Sequence, residues 1–286
     1  MSVPMADIAL GVLADTGLKA TVGLGLALIL TRALRGSSAS ARHAVLACGL
    51  ATGPLLLAQR VWAATADVAL SLGPWSGGLV AVWTLGVLLT LLPLGRGLAA
   101  LWGLTLRGNR EEGLVWSSDL DVPVTFARTI LLPRAARDWP ARQRQAALLH
   151  ERAHMDRGDW WVHMLAWVSC ALLWFHPLAW WARRQLMLEA ERAADDRVVL
   201  AGVQPSAYAQ QLLGLAGSPG VGLGMGPSNT AVRVRAILGA PNRSVVRWPA
   251  VVVSLVLICA LAGPVTAFAA WTPPGTPHCD VLGAQP

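Results

Sequence analysis

Charge is scarce in this chain. Of 286 residues only 14% are Asp, Glu, Lys or Arg, against 55% that are hydrophobic, and the mean hydropathy is +0.51. A composition this poor in charge excludes an ordinary soluble enzyme and puts much of the chain in lipid. Lysine is nearly absent: Lys19 is the single one, so the net charge of +7 is carried by arginine. The arginines stand beside apolar runs, not on a basic helix or a patch interleaved with aromatics. That speaks against direct nucleic-acid binding and for topology control and contact with anionic membrane lipid. The four cysteines, Cys48, Cys170, Cys259 and Cys279, include no pair at CxxC spacing, and the first three lie in apolar runs. A disulfide framework and a cysteine-based zinc site are both disfavoured. Met1 to Ala14 carries no positive charge, and the apolar run continues past Lys19 to Leu34, so the start of the chain does not read as a standard cleavable signal. There is no internal repeat.

What is abundant is long apolar sequence. Four segments, at about 8–31, 44–64, 77–95 and 249–270, are long enough to cross a bilayer core of roughly 30 Å, and the third can continue to Leu106. Arg32, Arg35 and Arg42 lie between the first two. Arg60 and Asp67 cancel between the second and third. Arg107 and Arg110 follow the third, Arg233, Arg235, Arg243 and Arg247 precede the fourth, and no Lys or Arg follows it. The positive-inside rule then predicts both termini outside and residues 107–247 in the cytoplasm. The expected organisation is three transmembrane helices in 1–106, a cytoplasmic domain in 107–247, a fourth transmembrane helix in 248–271 and a short extracytoplasmic tail in 272–286.

Within the polar region, VPVTFA and TILLP between Asp121 and Pro133 read as short strands interrupted at Arg128. Asp138-Trp139-Pro140 reads as a helix start, with Asp138 as N-cap and proline in the first turn. Helical runs follow from Ala141 to His154 or beyond, at 160–175, at about 178–200 and at 206–216, with Pro177, Gly202 and Pro205 as breaks. The glycine-rich stretch 217–228 reads as a loop, and the Pro/Gly-rich sequence after 272 as unstructured.

His150-Glu151-Arg152-Ala153-His154 carries the chemistry. Residues four apart share a helix face, so two imidazoles so placed can hold one zinc ion at about 2.0–2.1 Å. Glu151 then points at the open coordination position and can act as the base. The alternative is a plain surface pair of histidines. A catalytic zinc needs a third protein ligand, and Glu189, Glu191, Asp195 and Asp196 on a later helix are the candidates. Glu191 and Asp195 lie four apart, so Glu191 as ligand with Asp195 hydrogen-bonding a ligand histidine divides the work naturally. The competing reading makes these acids ordinary ion-pair partners of Arg192 and Arg197.

HERAHMDRGDWW, LLWFHPLAWWARR and EAERAADDRVVLAG together resemble the BlaR/MecR-type integral membrane zinc metallopeptidases. More distantly they resemble the CAAX prenyl protease and heat-shock membrane peptidases. KATVGLGLALILTRAL with SASARHAVLACGL looks like the family's first two membrane segments. VPVTFARTILLP with DWPARQRQAALLH looks like its strand region and active-site helix. The resemblance implies a mainly α membrane protein: four transmembrane helices plus a membrane-apposed, gluzincin-like α+β zinc peptidase domain. His150, His154 and Glu191 would bind Zn2+, Glu151 would be the base and Asp195 would support a ligand. His176 and Ala194 depart from the family's usual Asn and Cys. Only about sixteen residues follow Ala270, so the expectation is a relative without the penicillin-binding sensor.

If residues 160–180 crossed the membrane, Glu191 would be parted from His150. They are therefore expected to fold back near Phe175-His176-Pro177, as a re-entrant hairpin or one lying at the membrane surface, with tryptophans at the interface. His163, His176 and Tyr208 are candidates for stabilising the oxyanion, each weighed against simple packing. Residues 122–127 are a candidate edge for an extended peptide. The function expected is cleavage of a cytoplasmic or membrane-adjacent protein in regulated proteolysis and signal transduction. A transcriptional repressor, or the chain itself, is the partner in view, and a second copy of the chain is a further candidate partner. The alternatives are a non-proteolytic signalling transducer and a quality-control protease of a bacterial-type plasma membrane.

Overall fold

A computed structural model describes residues 4–63, 74–215 and 228–239. The expected fourth span and the tail lie outside the described residues, as do Cys259 and Cys279. The described part is mostly helical. It opens with three long helices, α1 (Met5–Ala33), α2 (Ala39–Ala63) and α3 (Trp75–Arg107). All three contain stretches long and apolar enough to cross a membrane. They extend a few residues beyond the apolar runs because the flanking residues continue the helix without a breaker. α3 turns a row of large apolar residues outward, Val82, Leu85, Leu88 and Leu89 among them, as a lipid-facing helix does. α1 and α2 pack closely because small residues meet: Gly49 sits against Ala27 so tightly that no side chain fits between them.

A four-stranded sheet follows, ordered β1-β2-β4-β3 from β1 (Asn109–Glu111), β2 (Leu114–Ser117), β3 (Val124–Phe126) and β4 (Thr129–Pro133). β3 and β4 are the expected strands, and they pair antiparallel, Thr125 opposite Ile130. β1 and β2 were not anticipated. They form a hairpin of three and four residues around Glu112 and Gly113, both at positive φ. β2 pairs parallel with β4. β3 pairs only with β4 among the described residues and is therefore an edge. Leu101 of α3 packs with Val115, Phe126 and Leu131 to seat the sheet on the end of α3.

The remaining helices are α4 (Ala141–Arg157), α5 (Asp159–Leu172), α6 (Pro177–Leu200), α7 (Pro205–Leu215) and α8 (Ser228–Leu238). The expected cap of α4 is corrected. Pro140, at ψ 140°, precedes the first helical residue, and no side chain caps the helix. Asp138 closes the short 3-10 turn Arg134–Arg137 instead. Pro140's φ of −50° suits a helix, and its extended ψ keeps it outside. Gly158, at φ 67°, ends α4 in the left-handed region and lets α5 leave at once. α8 begins at Ser228, the last residue of the stretch read as a loop.

α5 and α6 form the expected hairpin, turning at Leu173–His176 with Pro177 as the first residue of α6. It lies alongside α1, α2 and α3, not across their ends. Ser169 Oγ donates to the Leu50 carbonyl at 2.7 Å, Trp83 Nε1 donates to the Leu172 carbonyl at 3.0 Å, and the turn reaches Leu13 and Thr16 of α1. Leu24, Leu46 and Leu50 from the long helices share one core with Ala166, Leu173, Ala182 and Leu186 from the hairpin. Farther along α6, Trp181, Gln185, Glu189 and Arg192 line a cleft with Arg32 and Arg42 at the connection between α1 and α2.

Candidate metal centre

α4 places His150 and His154 on one face, one turn apart, and α6 brings Glu191 against them. The Nε2 atoms of the two histidines are 3.1 Å apart. Glu191 Oε2 is 3.3 Å from His150 Nε2, and Glu191 Oε1 is 3.5 Å from His154 Nε2. Donors at about 2.0–2.1 Å from a tetrahedral zinc would stand about 3.3 Å from one another. Each histidine nitrogen comes close to that value from one of the two Glu191 oxygens, and one donor atom from each residue lies within 4.8 Å of the others. Glu191 is buried, and its Oε2 faces His150 Nε2 at 3.3 Å and Arg233 Nη1 at 3.0 Å, so the carboxylate is held among positive partners. Two nitrogens and a carboxylate oxygen are a donor set suited to zinc. The residues fit the metal.

The opposite ring nitrogens are held from behind. His150 Nδ1 lies 3.2 Å from Asp195 Oδ1 and 3.0 Å from the Tyr208 hydroxyl, which itself donates to Asp195 at 2.7 Å. His154 Nδ1 lies 2.7 Å from Asp159 Oδ2. Such acceptors fix the imidazole orientation and direct both Nε2 atoms toward Glu191. The buried Arg233 of α8 grips Asp195 with two hydrogen bonds, Nε to Oδ2 at 2.8 Å and Nη2 to Oδ1 at 2.7 Å. Its Nη1 also stands 3.0 Å from Glu191 Oε2.

Glu151 follows His150 on α4 and is buried. Thr125, in the edge strand β3, donates its hydroxyl to Glu151 Oε2 at 2.7 Å and lies 3.0 Å from the Glu151 carbonyl. The strand edge and the proposed base are thus joined directly.

The electrostatics favour positive charge at the centre. Burial works against charge on His150, but hydrogen bonds to Asp195 and Glu191 outweigh it and raise the imidazole to about 10. Burial also opposes charge on Glu191. The charges of Arg233 and His154 overcome it and hold the carboxyl well below the usual range. Asp195 is held low in the same way, chiefly by Arg233. Asp159 stays low despite its burial because His154 and Arg157 face it.

Of the four acids considered on α6, Glu191 meets the histidines and Asp195 stands behind His150. Glu189 turns away to Arg42 and Arg192, at 2.7 and 2.8 Å. Burial lowers the His163 imidazole, which lies within electrostatic reach of His154 and Glu191. It sits one turn after Asp159 on the same face of α5. His176 is not brought to the site. Its Nε2 pairs with Thr21 Oγ1 at 2.8 Å, and fifteen residues of α6 part it from Glu191, roughly 22 Å at helical rise. Two participants were missed by sequence reasoning, Asp159 and Arg233. Asp159 had a local signal: an acid just past the second histidine, across a glycine. Arg233 had none.

A family model described as BlaR1 peptidase M56 matches residues 69–237, more than half of the chain, including His150, Glu151, His154, Asp159, Glu191, Asp195, Tyr208 and Arg233. No curated protein matches the chain.

Proposed function

We propose, from the premise that this chain belongs to the BlaR1 peptidase M56 family, that it is a membrane-embedded zinc endopeptidase with His150, His154 and Glu191 as ligands and Glu151 as general base. The observation that carries this reading is the convergence of three side chains from two helices, with one donor atom from each within 4.8 Å of the others. Zinc bound there supplies Lewis acidity at the scissile carbonyl and a water made nucleophilic at neutral pH.

The chain's own residues do the rest. Thr125 holds the Glu151 carboxylate, which takes the proton of the attacking water and passes it to the leaving amine. Asp195 and Tyr208 keep His150, and Asp159 keeps His154, turned toward the metal position. Tyr208 is thereby a positioning residue in this reading, and His163 is left as the candidate oxyanion partner. The outer edge of β3 offers backbone groups to an extended substrate beside Glu151. The substrate we propose is a cytoplasmic or membrane-adjacent protein, a transcriptional repressor or the chain itself, cut in regulated proteolysis.

The placement that accompanies this reading is a bacterial-type plasma membrane, four spans, both termini outside and the catalytic region in the cytoplasm. The arginines around the α1–α2 connection and after α3 support it. The test is metal content and peptide cleavage by the purified full chain. Zinc near one per chain is expected, cleavage should stop on chelation, and Glu151→Gln should keep the metal while losing about 10²–10⁴-fold in rate. A chain purified from zinc-containing medium without metal would overturn the proposal, and so would undiminished cleavage by Glu151→Gln.

A further inference from the structure

An open cleft of about 310 Å³ lies between the α1–α2 connection and α6, away from the histidines. Arg32, Arg35, Arg42 and Arg192 line it, with Glu189 as the one carboxylate among the described lining residues. Glu189 is already used on both oxygens: Oε2 accepts from Arg42 and Oε1 from Arg192. Those two guanidinium groups are thereby fixed in place. Arg32 and Arg35 are exposed and meet no carboxylate among the described residues. Four arginines against one glutamate leave a strong positive excess in a small concave space. The rim adds apolar surface. Arg32 stands over the Trp181 ring at 5.8 Å from its centroid, and Leu28 of α1 forms part of the wall. The cleft lies where α1 ends and α2 begins, which on the proposed membrane placement is where lipid gives way to water.

Guanidinium forks match phosphate oxygens two at a time, tryptophan favours the boundary between headgroup and acyl chain, and a leucine wall suits the chain itself. We propose that this cleft binds the phosphate headgroup of an anionic phospholipid, with Arg32 and Arg35 as the principal phosphate contacts. The inference rests on the membrane placement of α1 and α2, not on the peptidase reading, and its test needs no activity.

The experiment is a lipid titration of the detergent-solubilised full chain, read by native mass spectrometry. Phosphatidylglycerol is compared with phosphatidylcholine of the same acyl chains. Preferential retention of phosphatidylglycerol is expected. The double variant Arg32→Gln with Arg35→Gln should weaken it roughly tenfold or more, with the melting temperature unchanged because both side chains are exposed. The double variant Arg107→Gln with Arg110→Gln removes the same charge at the end of α3 and should leave binding as it was. Equal retention of the two lipids would overturn the proposal, as would equal weakening by both double variants. Displacement of the lipid by an equal concentration of inorganic phosphate would assign the cleft to a free anion and overturn the lipid reading.

Discussion

His150 and His154 differ in what stands behind them. Behind His150 are Asp195, Tyr208 and the grip of Arg233. Behind His154 there is Asp159, with Arg157 Nη2 3.3 Å from its other oxygen. Loss of an outer acceptor commonly costs about 10–100-fold in metal affinity. Asp159→Asn keeps the shape and removes the charge, so a loss in that range is expected in competition with a chelating dye. Arg233 has a different task. It is the buried cation that compensates Asp195 and Glu191, and leaving such charges unpaired costs about 3–5 kcal/mol. Arg233→Met should therefore destabilise the metal-free chain by about that amount, measured by unfolding in detergent, and by less once zinc is bound. Glu191 and Asp195 were legible because one helix sets their spacing, as it does for His150 and His154. Arg233 was not, because it lies 38 residues beyond Asp195 on another helix. Nothing local marks an arginine that will pair across the fold.

At the scale of elements, the long helices were legible to within a few residues, since an apolar run in lipid has no competing structure. The strands β1 and β2 were not. At three and four residues they are too short to show alternation; β1 is held by pairing with β2, and β2 by pairing with β4 and packing of Val115 with Leu101. The turn between α5 and α6 was legible by a geometric necessity, that Glu191 reach the histidines, but the packing of the pair beside the long helices was not. That packing is set by contacts such as Ser169 with Leu50 and Trp83 with Leu172, which no residue pattern announces. The α1–α2 interface makes the sharpest element-scale prediction. A side chain at Gly49 would collide with Ala27. Gly49→Leu should cost about 1–3 kcal/mol as overpacking, seen as a lowered midpoint of unfolding in detergent.

At the scale of the whole molecule, the two histidines ride on the polar helix α4, while Glu191 rides on α6, whose first half packs with Leu24 of α1 and Leu46 and Leu50 of α2. The triangle of donors therefore spans two bodies with different anchors and acts as a gauge of the distance between them. Misplacement by one ångström can cost an enzyme on the order of 10²-fold in rate. On the proposed membrane placement, bilayer thickness would act on α6 through α1 and α2, which pack against it. Reconstituted into vesicles of graded acyl length, the chain should cleave fastest at one thickness and fall off on either side, at constant zinc content. A flat profile would mean that α4 and the hairpin move together. On the graded outcome, lateral stress in the lipid becomes an input to the reaction, delivered by the helix that holds the third donor.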